Sequence, residues 1–128
     1  MASSASPESR CRILIVEDDV MIRMLLEDML TDLGYTVASS VGRIDEALVI
    51  ARDGDFDLAI LDVNVGGELV YPVAEALAAR GLPFVFSTGY GERGMPDEYR
   101  DRPTLQKPFQ LDGLEQALAR LMPKAEQS

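Results

Sequence analysis

The stretch Phe56-Asp57-Leu58-Ala59-Ile60-Leu61-Asp62-Val63-Asn64-Val65-Gly66-Gly67 decides how the chain folds. Leu58 to Leu61 is a short, continuous apolar run between turn signals, the pattern of a strand buried on both faces. It ends in a carboxylate, Asp62, followed by a Gly-Gly loop. An ionised Asp at the mouth of a buried strand is costly unless something neutralises it. In open α/β sheets, ligands bind outside the carboxyl ends of the strands, so Asp62 stands where chemistry is expected. The competing reading is an Asp that merely starts a turn, and the rest of the chain decides between them.

Upstream, Arg12-Ile13-Leu14-Ile15-Val16 repeats the buried-strand pattern and ends in Glu17-Asp18-Asp19. Ile22, Leu25, Leu26, Met29, Leu30 and Leu33 then share one helical face, with Asp19 as N-cap and Gly34 at the left-handed stop position. Tyr35 to Ser39 reads as a second strand. Ile44 to Arg52 reads as a second helix, stopped at Asp53-Gly54. Downstream, a third helix is expected over Glu68 to Arg80, with Pro72 in its first turn and Gly81 as its stop. Phe84-Val85-Phe86-Ser87 is a fourth strand, leading into Thr88-Gly89-Tyr90. Gly91 to Arg100 is a poor helix, carrying Gly91, Gly94 and Pro96. Thr104-Leu105-Gln106 is a brief fifth strand closed by Lys107-Pro108-Phe109, and Leu111, Leu114, Leu118 and Leu121 mark a last amphipathic helix. Strand and helix alternate throughout. That pattern specifies an α/β fold, a parallel sheet covered on both faces.

The chain has 128 residues, enough for one domain and one core of ordinary size. Its 47% hydrophobic and 27% charged residues mark it as globular. A net charge of −10 argues against direct binding to nucleic acid or to an anionic membrane, because no basic patch offsets phosphate repulsion. There is no histidine, so His-based catalysis and His metal ligation are excluded. The single cysteine, Cys11, has no internal disulfide partner, which agrees with a reducing, cytoplasmic setting. Residues 1–10 read as a disordered polar tail, neither signal peptide nor anchor, and no apolar run reaches membrane-spanning length.

In such a sheet the carboxyl ends of the strands converge. They bring together Glu17 and Asp18, Asp62, Thr88 and Lys107. Taken singly, each has a plainer reading: acids after a strand cap helices, Thr-Gly makes a turn, and Lys-Pro makes a loop. Four strand ends supplying one complementary set is much harder to assign to chance. Three clustered carboxylates repel, and Lys107 offsets only one of their charges, so a divalent cation completes the balance. Oxygen-only ligation suits Mg²⁺. Such a site also draws in a phosphoryl group, with Lys107 and the Thr88 hydroxyl placed to engage its oxygens and Asp62 as nucleophile.

With these residues the chain resembles the receiver domain of two-component response regulators over Arg12 to Leu121. The resemblance implies Glu17-Asp18 as the acidic pair, Asp62 as phospho-acceptor, Thr88 as switch hydroxyl and Lys107-Pro108 as the lysine motif, with a cis bond before Pro108. It implies Mg²⁺ ligation by Asp18, Asp62 and the Asn64 carbonyl, with Glu17 acting through water. It also implies a doubly wound, flavodoxin-like five-stranded sheet ordered 2-1-3-4-5. The expected receiver covers residues 11–122, and residues 123–128 form a C-terminal tail.

Three features depart from the common pattern. Val63-Asn64-Val65-Gly66-Gly67 lacks the Met-Pro that commonly follows the acceptor, and Thr104 stands where an aromatic residue is usual. Phe86-Ser87-Thr88-Gly89-Tyr90 resembles the motif of a single-domain subgroup, with Ser87 in place of Ala. Tyr90 and Thr104 are therefore the switch candidates, and Tyr90 to Arg102 is expected to be the loosest segment, ordered by phosphorylation. The expected partners are a sensor histidine kinase or phosphotransfer protein and a downstream protein target; the chain is read as a signalling domain, not an enzyme. Rival readings fare worse. A flavodoxin-like cofactor binder needs a phosphate cradle where Glu17-Asp18-Asp19 would repel phosphate. A haloacid-dehalogenase-type phosphatase needs a second Asp where Asn64 stands. A degenerate receiver acting only as a binding module is the remaining alternative.

Overall fold

The computed structural model describes residues 11–89, 104–107 and 109–121. The expectations for the terminal tails, for Tyr90 to Arg102 and for the Lys107-Pro108 bond lie wholly or partly outside those residues. Strand β1 (Arg12–Val16) leads to helix α1 (Val20–Asp32), β2 (Thr36–Val41) to α2 (Ile44–Asp53), and β3 (Leu58–Asp62) to a short hairpin, β4 (Asn64–Val65) and β5 (Glu68–Leu69). Helix α3 (Tyr71–Ala79), β6 (Phe84–Thr88), β7 (Thr104–Gln106) and α4 (Leu111–Leu121) complete the described elements. The main sheet is ordered β2-β1-β3-β6-β7 with every pairing parallel, the 2-1-3-4-5 arrangement once the hairpin is set aside.

Alternation along the strands divides the core into two layers. Leu14, Val16, Ala59, Leu61, Phe84 and Phe86 face α2 and α3. Ile13, Ile15, Leu58, Ile60, Val85 and Leu105 face α1 and α4. Both layers are buried, which is why the central strands read as unbroken apolar runs.

Local signals account for most boundaries. Asp19 caps α1 by accepting from the N–H groups of Met21 (2.9 Å) and Ile22 (3.2 Å). Gly34 ends it at φ 94°, where Tyr35 N–H returns to the Leu30 carbonyl. The third helix departs from expectation. It begins at Tyr71, and Glu68-Leu69 pairs with Asn64-Val65 instead. Gly66 and Gly67 both adopt positive φ, 61° and 87°, the two-residue turn whose twist suits a tight hairpin. Helix α1 differs too: Leu26 and Leu30 are buried, but Leu25, assigned by periodicity to the inner face, is exposed beside Val20, Met21 and Met24. No described helix is long and apolar enough to cross a membrane.

Candidate functional site

The strand alternation continues past the core at the carboxyl end. Asp62 follows Ile60 on the α1/α4 side of the sheet, and the same alternation carries Val16's neighbour Glu17 and Leu105's successor Lys107 toward that side. Glu17 is only 2% exposed and Asp62 7%. Lys107 bridges them: its Nζ donates to Glu17 Oε1 at 2.8 Å and lies 3.3 Å from Asp62 Oδ2. Glu17 Oε2 also accepts from the Asp19 N–H at 3.0 Å. Carboxylate oxygens of Glu17, Asp18 and Asp62 all fall within 4.8 Å of one another.

The loop after Asp62 is tied into this cluster. The Asn64 N–H approaches Asp62 Oδ1 at 3.4 Å, and the Asn64 side chain accepts from the Gly67 N–H at 3.0 Å. At the hairpin tip the Gly66 N–H donates to Asp18 Oδ2 at 3.0 Å. That contact was not foreseen, because it exists only once the Gly-Gly turn is a hairpin. Thr88, 5% exposed, ends β6, and its carbonyl accepts from the Lys107 N–H at 2.9 Å. Thr104 is half-buried in β7 opposite Phe86. Tyr90 lies outside the described residues.

The electrostatics follow from burial and pairing. Burial pushes the Glu17 carboxyl up to about 7; the Lys107 and Asp19 hydrogen bonds oppose the rise and the Asp62 charge adds to it. Asp18 is more open. Partial burial raises its carboxyl, but hydrogen bonds, led by the Gly66 N–H, hold it below the usual range. Burial weakens the Lys107 ammonium, yet its bond to Glu17 and the Asp62 charge outweigh that and raise it. A lysine so placed stays charged at any physiological pH.

Clustered carboxylate oxygens with one ammonium held against two of them suit a cation and a phosphoryl group together. Beside it, α1 exposes Val20, Met21 (79% exposed), Met24 and Leu25. A cavity of about 240 Å³, lined by Ile22, Leu25, Lys107 and Phe109, opens between α1 and the lysine.

The model of the response regulator receiver domain matches residues 13–119. The chain belongs to that family. This receiver is similar to SdrG from Sphingomonas melonis Fr1, whose solution structure has 52% sequence identity, covers 88% of this chain and 97% of that one, and superposes with a TM-score of 0.79. The BeF3-activated conformation of SdrG from Pseudomonas melonis Fr1 gives 50% identity, 88% and 96% coverage and a TM-score of 0.76. Among curated proteins, the transcriptional regulatory protein PdtaR of Mycobacterium tuberculosis is 33% identical over 107 residues, 80% of this receiver and 52% of PdtaR. The receiver thus spans about half the length of that relative.

Proposed function

We propose that this protein is a stand-alone receiver, spanning residues 11–122, that takes a phosphoryl group onto Asp62 from a sensor histidine kinase or phosphotransfer protein. It then signals through altered contacts with a downstream protein, or drains phosphate from another regulator. One observation carries the reading: Lys107 Nζ joins Glu17 and Asp62 at 2.8 and 3.3 Å while three carboxylates converge on the same edge. The donor set fits Mg²⁺, since it consists of hard oxygens and Lys107 cancels only part of its negative charge. Asp18, Asp62 and the Asn64 carbonyl would hold the ion, with Glu17 behind them, and when bound it supplies neutralising charge for the phosphoryl oxygens.

An Asp62 carboxylate oxygen attacks phosphorus, an O–P bond forms, and the donor's N–P bond breaks with its electron pair left on the donor imidazole. Lys107 moves from Asp62 to a phosphoryl oxygen, and the Thr88 hydroxyl engages another. Leu25, exposed on α1 with Met21 and Met24, lines the cavity beside Lys107, so a protein donor that brings its phosphohistidine to Asp62 would lie against this apolar face of α1.

Labelling followed by intact mass, with acetyl phosphate or a kinase as donor, tests the assignment. Asp62→Asn is expected to abolish labelling, and EDTA to suppress it in the wild type. Labelling of Asp62→Asn at another aspartate, or indifference to EDTA, overturns the reading, and a wild type that takes no label leaves a phosphorylation-independent binding module. Met21→Lys is expected to slow transfer from a protein donor about tenfold while leaving acetyl phosphate labelling unchanged; equal slowing of both places the donor elsewhere.

A further inference from the structure

Ser87 is 1% exposed, and its hydroxyl has no hydrogen-bond partner. A buried hydroxyl without a partner is costly, and such groups in a native fold call for an explanation. Its position supplies one. Ser87 is the register partner of Asp62 across the β3–β6 pairing, and neighbouring strands lie only about 4.8 Å apart. Leu58 and Ile60 before Asp62, and Val85 before Ser87, all belong to the α1/α4 layer. Both side chains therefore leave the same face of the sheet. Lys107, from the end of β7, must cross β6 to come within 3.3 Å of Asp62 on β3. In register Ser87 pairs with Leu105, and Lys107 stands just past the Thr88–Gln106 pair that follows. The orphan hydroxyl thus leaves the sheet beside the acceptor residue, on the face that the lysine reaches across.

We infer that Ser87 is a further residue of the reaction, resting on the assignment of Asp62 as acceptor: its hydroxyl donates to the Asp62 acyl oxygen once Asp62 is phosphorylated. In the unphosphorylated protein Asp62 Oδ2 is taken by Lys107 and Oδ1 faces the Asn64 N–H. Phosphorylation ties one carboxyl oxygen to phosphorus and draws Lys107 toward the phosphoryl group. The other oxygen becomes an acyl carbonyl, and with two lone pairs it can take the Ser87 donor as well as the cation that Asp62 would hold. When water attacks phosphorus, the P–O bond to Asp62 breaks and its electron pair returns to the carboxylate. A donor on that carboxylate stabilises the developing charge, so Ser87 shortens the lifetime of the phosphorylated state.

The test compares the full-length wild type with Ser87→Ala and Ser87→Thr, each labelled with acetyl phosphate and Mg²⁺. Ser87→Ala is expected to lengthen the lifetime of the acyl phosphate about three- to tenfold, the size of one neutral hydrogen bond. Infrared difference spectra are expected to show its acyl carbonyl stretch at higher frequency, because the hydrogen bond is gone. Ser87→Thr, which keeps a hydroxyl, is expected to return both quantities toward wild type. Loss of an orphan hydroxyl also predicts that unphosphorylated Ser87→Ala melts no lower than wild type. Unchanged lifetime and unchanged carbonyl stretch in a folded, labelled Ser87→Ala overturn the inference and leave Ser87 a packing residue. A wild type that gains no phosphoryl mass overturns the Asp62 assignment itself, and this inference with it.

Discussion

At the amino end of the sheet, Arg80 donates to the carbonyls of Ala51 (2.7 Å) and Gly54 (2.9 Å) and lies over the Phe56 ring at 5.4 Å. Arg12 opens β1 there with its N–H on Asp57 and its guanidinium on Asp55. Each cation meets its own acceptors close to water. At the carboxyl end, Glu17 and Asp62 are buried, Asp18 stands beside them, and among the described residues Lys107 alone offsets the three. The Ser87 hydroxyl next to Asp62 is left unpartnered. Both ends belong to one sheet and one core, so the difference does not come from the fold. The amino end is arranged for stability. The carboxyl end sets three clustered carboxylates against one ammonium, the usual mark of a site where local consistency yields to function.

The largest expected effect comes from removing the one ammonium at the carboxyl end. Lys107→Met leaves Glu17 and Asp62 buried without a cation, which costs about 3 kcal/mol at neutral pH. Divalent cation is expected to restore part of the loss, because it supplies the missing charge. Denaturant titration with and without Mg²⁺ reads both. A Lys107→Met protein as stable as wild type at pH 7 would show that Asp62 and Glu17 do not depend on the ammonium.

Arg80→Ala should come next, at about 2 kcal/mol. It removes two hydrogen bonds to the carbonyls that end α2 and one ring contact. Here Mg²⁺ is expected to restore nothing, and phosphorylation by acetyl phosphate should proceed at the wild-type rate. A labelling defect in a folded Arg80→Ala would break the separation of the two ends.

Sequence reading recovered these two ends unequally. The carboxyl end was legible because buried strands announce themselves as apolar runs, and whatever polar residue follows such a run lands at the sheet edge. Glu17, Asp62 and Lys107 needed nothing more to be placed together. The hairpin was missed because Glu68 and Leu69 suit the first turn of a helix, although Gly66-Gly67 between Val65 and Glu68 carries the two-residue turn signal. The Gly66 contact to Asp18 was lost with it. Helix α1 carries apolar residues on more than one side, so periodicity alone assigned Leu25 inward along with Leu26 and Leu30. The Arg80 contacts join residues far apart in sequence and leave no local pattern. Ser87 drew notice only as a departure from a motif; its missing partner is visible only in three dimensions.

The smallest effect is a slope rather than a loss. Burial raises the Glu17 carboxyl from its ordinary value to about 7 in the folded chain. Below pH of roughly 4.5 the group is protonated in both folded and unfolded states and contributes nothing to the balance. Between there and about pH 7 the folded chain keeps a proton that the unfolded chain has released. Stability therefore falls as pH rises across that window and levels off above it, by about 1–3 kcal/mol in all. Asp18 works in the opposite sense, since its carboxyl is held low when folded and favours the folded state at higher pH. The comparison that isolates Glu17 is with Glu17→Gln, in metal-free buffer. Relative to that variant, the wild type is expected to lose stability steadily from about pH 4.5 to pH 7, while pairing at the amino end is untouched. Parallel pH profiles would mean that Lys107 keeps Glu17 ionised throughout, and that the imbalance at the carboxyl end lies with Asp18 and Asp62 alone.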